Sequence, residues 1–134
     1  KPLHDAPSIV LKGNFMERLV KAFQNSVRAF SRLMRTEAAF QQEVMLLIAA
    51  IPLGWFIAES WSGYALLIGA ILFLMTVEVL NTGIEAACDA VSREFNIDIQ
   101  LAKDCGSLAV LISILITLGI WGIAIVERLT GLSI

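Results

Sequence analysis

The stretch TVEVLNTGIEAACDA, residues 76–90, decides how this chain is read. It continues a run from Tyr64 to Val77 that carries no charge. Glu78, Asn81, Glu85 and Asp89 then follow at helical spacing. Glu78 to Asn81 is three residues and Asn81 to Glu85 is four, so the three share one helix face. From Glu78 to Glu85 the helix climbs two turns, ~10 Å. Acids placed inside a bilayer cost ~2.5–3.5 kcal/mol each on insertion scales, so such a stripe marks function.

Composition supplies the bilayer. Of 134 residues, 57% are hydrophobic and only 16% are charged, and the mean hydropathy is +0.78. A soluble domain of this size needs more polar surface, so an integral membrane protein is expected. Three apolar spans can be drawn, at about 44–58, 64–91 and 106–126. Pro52 interrupts the first, which a membrane helix tolerates. The turn ESWSG, residues 59–63, makes a hairpin of the first two spans. The link SREFNIDIQLAKD, residues 92–104, is longer and polar.

Ahead of the spans, residues 15–35 read as an amphipathic surface helix. Phe15, Leu19, Phe23, Val27, Phe30 and Met34 recur on one face, and Arg18, Lys21, Arg28, Arg32 and Arg35 on another. Such a helix suits an anionic membrane surface. Residues 1–14 have two prolines and no periodicity, and read as a loose tail without the apolar core of a signal peptide. Residues 1–134 are thus expected to form one all-α, integral-membrane domain.

Seven of the ten Lys and Arg precede residue 36, and Arg93 and Lys103 flank the second link. The positive-inside rule then places the N-terminus and the 92–104 link in the cytoplasm. The 59–63 turn and the C-terminus face the other side. Cys88 and Cys105 fall at the cytosolic side and are expected as free thiols. Neither has metal-ligand spacing, and the sole histidine, His4, lies in the leader, so no zinc site is expected. Ala65 and Gly69, and Ala102 and Gly106, are small residues four apart that would let helices approach closely.

More polar groups gather where the spans leave the cytosol. Glu37 and Glu43 precede the first span, and Lys103 and Asp104 precede the third. Glu43 and Asp89 read as acids that are simply solvated. Carboxylates converging with a lysine at a water-facing edge suit a divalent cation holding phosphate oxygens. No phosphate-binding loop G-x-x-x-x-G-K-[ST], protein-kinase motif or G-x-S-x-G elbow is present.

At these residues the chain resembles the small prokaryotic integral-membrane lipid kinases, in their Gram-negative diacylglycerol kinase branch. EVLNTGIEAACD is similar to the signature E-[ILV]-[LI]-N-[ST]-x-I-E-x-x-x-D, and AKDCGSLAV to a second signature, A-K-D-x-x-S/A-x-A-V. EAAFQQE resembles the diacylglycerol branch, where undecaprenol kinases carry E-R-N-F-R. The likeness covers about residues 18–128. Gln41 departs from a common Arg, and Asn25 and Val27 from an aromatic pair.

The resemblance implies a homotrimer of three membrane helices and one surface helix per subunit, with active sites shared between subunits. It implies transfer of the ATP γ-phosphate to diacylglycerol, giving phosphatidic acid, in a bacterial inner membrane. Glu78 matches the catalytic base, and Glu37 and Glu85 match ligands of Mg²⁺. Asn81, Lys103 and Asp104 match further polar positions, and Arg18, Glu94 and Ser107 match contacts to nucleotide or lipid. No nucleic-acid partner is expected. An undecaprenol kinase, or a small cation transporter or channel subunit, are the alternatives. The uncharged third span speaks against a conduction path.

Overall fold

The computed structural model describes residues 14–132. The loose tail expected over residues 1–14 therefore lies, Asn14 apart, outside the described residues. Every regular element among the described residues is an α-helix: α1 (Phe15–Thr36), α2 (Ala38–Ile57), α3 (Trp61–Val91) and α4 (Ile97–Thr130). Helices α2, α3 and α4 are long and apolar enough to cross a membrane. By contacts, α1 is one compact unit and α2–α4 a second.

Helix α1 starts where Asn14 can cap it. The Asn14 side-chain oxygen accepts from the Glu17 N–H at 2.9 Å, which satisfies a donor that the first turn leaves free. Its aromatic face keeps the spacing read from the sequence, with Phe15, Phe23 and Phe30 all exposed.

In the second unit α3 packs against both α2 and α4. Its buried residues Leu67, Ala70, Ile71 and Leu74 form the apolar half of the core. Polar bonds lock the α3–α4 seam: the Thr117 hydroxyl donates to the Ala70 carbonyl at 3.1 Å and Trp121 Nε1 to the Leu67 carbonyl at 3.0 Å. In a bilayer such bonds replace the hydrophobic drive that water would supply. At the α2–α3 seam, Gly54 admits the Tyr64 ring; a Cβ on Gly54 would stand 3.2 Å from it. The Tyr64 hydroxyl donates to the Ile51 carbonyl at 3.1 Å, beside Pro52, whose missing N–H weakens the local ladder. Of the small residues picked out by spacing, Gly106 makes a close approach, whereas a Cβ on Gly69 would meet open space.

The links are shorter than their polarity suggests. Ser60 caps α3 by accepting from the Gly63 N–H at 3.0 Å, so helix resumes inside the ESWSG turn. Asn96 caps α4, accepting from Asp98 N–H at 2.9 Å and Ile99 N–H at 3.2 Å. Residues 97–104 are therefore helix, not link. Gly131 ends α4 with φ 67 and returns its N–H to the Glu127 carbonyl, as a left-handed C-terminal residue does.

Candidate active site

The acidic stripe of α3 does face inward. Glu78 is 8% exposed and Asn81 9%. Glu85 is half-buried and accepts from Asn81 Nδ2 at 3.3 Å. Glu78 lies within electrostatic reach of Glu85, two turns along the same face, and of Glu37 at the start of α2. Glu37 occupies the extended N-cap position of α2, and its carboxylate makes no capping bond there.

Glu43 joins them, against the expectation of a solvated acid. It is 8% exposed on α2, and Glu78 is the charge that acts on it. The signal was visible in spacing: Phe40, Glu43, Ala50 and Gly54 fall on one face of α2, and all four are buried. Asp89 was likewise read as solvated. It is exposed, as read, and in addition holds Lys103, Nζ to Oδ1, at 2.6 Å. Lys103 also lies in the field of Glu85. The sequence neighbour Asp104 is exposed on α4, so the cross-helix partner of Lys103 is Asp89.

The remaining expected residues lie further out. Ser107 is exposed on α4 and Glu94 is exposed in the α3–α4 link, its N–H donated to Ser92 Oγ at 3.1 Å. Arg18 is exposed on α1, which forms its own unit.

Gly106 is a site residue that motif reading leaves unexplained. A Cβ there would run into Asn81 Oδ1 and stand 3.2 Å from Asn81 Cγ. Only a glycine lets α4 pass so close to the Asn81 amide. Two buried acceptors in this region, Asn81 Oδ1 and Glu43 Oε2, have no hydrogen-bond partner. Buried acceptors without donors are costly, and carboxylates gathered in low dielectric repel one another. The arrangement is thus suited to a ligand that brings donors or positive charge.

A magnesium ion fits that description. Its ordinary site takes one or two carboxylates and completes its shell with substrate phosphates and water. Glu37 and Glu85 offer such hard oxygens in electrostatic reach of Glu78. Among the described residues no three His, Cys, Asp or Glu side chains form a metal cage of their own.

Comparison with known proteins bears on the same residues. The family model for prokaryotic diacylglycerol kinase matches residues 24–125. A diacylglycerol kinase of Pseudomonas aeruginosa is 35% identical over 106 residues, 79% of this chain and 86% of that protein. That of Escherichia coli K12 is 34% identical over 104 residues, 78% and 85% of the two chains. One from Helicobacter pylori is 33% identical over 111 residues, 83% and 87%. The matched region takes in α2, α3 and most of α4, with every buried carboxylate described above, and the chain belongs to the prokaryotic diacylglycerol kinase family.

Proposed function

We propose that this chain is an ATP-dependent lipid kinase that converts diacylglycerol to phosphatidic acid. The observation that carries the reading is Glu78: a carboxylate buried on a membrane-length helix, with Glu37 and Glu85 in electrostatic reach. The family membership supplies the chemistry to which it is put.

Diacylglycerol is apolar except at its glycerol end, so its free hydroxyl sits at the bilayer boundary, while ATP stays in water. A catalyst joining them has to work at that plane. Glu78 lies where the uncharged run of α3 gives way to polar sequence, and this supports a general base there. The hydroxyl oxygen attacks the γ-phosphorus. A new O–P bond forms, the bond to the bridging oxygen of ADP breaks, and the hydroxyl proton passes to the Glu78 carboxylate. Mg²⁺, held by Glu37 and Glu85 together with phosphate oxygens, would neutralise the polyphosphate charge. Lys103, steadied by Asp89, would add positive charge at the phosphates. Positioning and electrostatics supply most of the rate in such a transfer.

Other roles rest on the resemblance. Arg18, Glu94 and Asp104 are assigned to the nucleotide, and Arg18, Asn81 and Ser107 to the lipid substrate. Helix α1 would lie on the membrane surface, with the N-terminus and active site cytoplasmic in a bacterial inner membrane. Three subunits would share their sites, which would also cover polar stripes that three helices shield poorly.

EAAFQQE at the start of α2 favours diacylglycerol over undecaprenol. Purified protein is given Mg-ATP and both lipids at equal mole fraction in mixed micelles. Predominant phosphatidic acid is expected. Predominant undecaprenyl phosphate would reassign the acceptor, and no lipid product at all would remove the kinase reading.

A further inference from the structure

The turn between α2 and α3 carries a second feature, about 25 Å from Glu78 at 1.5 Å per residue along α3. Trp55 from the last turn of α2, Trp61 at the first position of α3 and Tyr64 one turn later come together there. Their centroids lie 5.0, 5.8 and 6.4 Å apart, with interplanar angles of 68°, 85° and 81°. The three pairs meet edge to face, as aromatic rings prefer, and all three rings border one corner. A cavity of about 220 Å³ opens among them, and Ala58, Glu59 and Ser60 complete its lining.

Apart from Ala58, the lining is rich in electron-bearing groups. Aromatic faces carry negative quadrupole charge, and Glu59 adds a carboxylate. The nearby positive end of α3 is already occupied, since Ser60 Oγ takes the Gly63 N–H. The Tyr64 ring is fixed by its bond to the Ile51 carbonyl, so the corner is built rather than incidental. Trp55 is 56% exposed and Trp61 73%, so both rings are accessible from outside the chain. A cation seated in the corner comes within the ~6 Å of ring centroids that cation–π attraction needs. Ring walls and one carboxylate suit a greasy cation better than a primary ammonium, which needs several oxygen acceptors.

We propose that this corner binds a quaternary ammonium group, that of a zwitterionic phospholipid headgroup, between Trp55, Trp61 and Tyr64, with Glu59 as the counter-charge. The location supports a lipid source. The three rings sit at the end of two membrane-length helices, at the headgroup level where Trp and Tyr concentrate.

The test uses the full chain. In detergent, tryptophan fluorescence is followed while choline, or its uncharged carbon isostere dimethylbutanol, is added. Choline is expected to give a saturable change and the isostere none. Trp61→Leu should weaken choline binding about fivefold, the worth of one exposed ring. Glu59→Gln should weaken it too, and Trp55→Leu serves as a second ring variant. For the lipid, protein is released from nanodiscs of mixed phosphatidylcholine and phosphatidylglycerol and weighed intact. Retained phosphatidylcholine is expected on the parent but not on Trp61→Leu. Phosphoryl transfer by Trp61→Leu should match the parent. Equal binding of the isostere, unchanged binding in both ring variants, or no preference for phosphatidylcholine would each overturn the proposal.

Discussion

Gly106 and Asn81 show most sharply how one residue of α4 serves a side chain of α3. Gly106→Ala puts a methyl group against the Asn81 amide, an overpacking that costs typically 1–3 kcal/mol. The loss should be visible in denaturant unfolding and should be accompanied by reduced phosphoryl transfer. In an Asn81→Ala background the same change should cost little, because the obstructing amide is gone. Equal costs in the two backgrounds would show that the contact is not the cause. Asp89→Asn tests the hold on Lys103. Both partners are well exposed, so folding should hardly change. The KM for ATP should rise severalfold while kcat stays close to the parent, with Asp89→Glu restoring much of the effect. An unchanged KM would mean that Asp89 does not position Lys103. Glu78, Asn81 and Glu85 were legible from spacing, since three and four residues place groups on one helix face. Glu43 shares the spacing of buried Phe40 and Ala50, but the hold of Asp89 on Lys103 was not legible, because cross-helix pairing depends on which helix lies opposite, and no local pattern states that. Lys103 and Asp104, consecutive on a helix, point in different directions, whereas Asp89 meets Lys103 across the α3–α4 seam.

The elements follow from apolar runs in their middles and from caps at their ends. Hydropathy located the three long helices because long uncharged apolar stretches have few other uses. It mislaid the start of α4, since residues 97–104 are polar and helical at once. Asn96, with Asp98 in the first turn, is the local signal that hydropathy ignores. Asn96→Ala removes the acceptor for the Asp98 and Ile99 amides and should cost about 1 kcal/mol of stability. The change should appear in unfolding and as faster amide exchange over residues 97–100. Undiminished protection there would show that α4 does not depend on its cap. The same logic explains α2, which begins at Ala38 although its apolar run begins later: Phe40, Glu43 and Ala50 keep one buried face through the polar first turns.

At the scale of the whole molecule, three membrane helices enclose little. Many large apolar side chains of α2 and α4 remain exposed, as lipid or neighbouring subunits would require. Glu37 lies in electrostatic reach of Glu78 within one chain, and a proposed trimer that instead pairs them across chains is tested by subunit mixing. Inactive Glu78→Gln subunits mixed with inactive Glu37→Gln subunits should then regain part of the parent activity once trimers re-form. No recovery after demonstrated exchange would assign both glutamates of a site to one chain. The central claim, that Glu78 is the base of a diacylglycerol kinase, is met most directly by comparing the parent and Glu78→Gln as purified proteins. Each is supplied with Mg-ATP and diacylglycerol, with subunit assembly checked in the same samples. The expected result is phosphatidic acid from the parent and a rate at least ~100-fold lower from an equally assembled Glu78→Gln, the scale of a lost general base. A Glu78→Gln protein active within a few-fold of the parent would contradict the account.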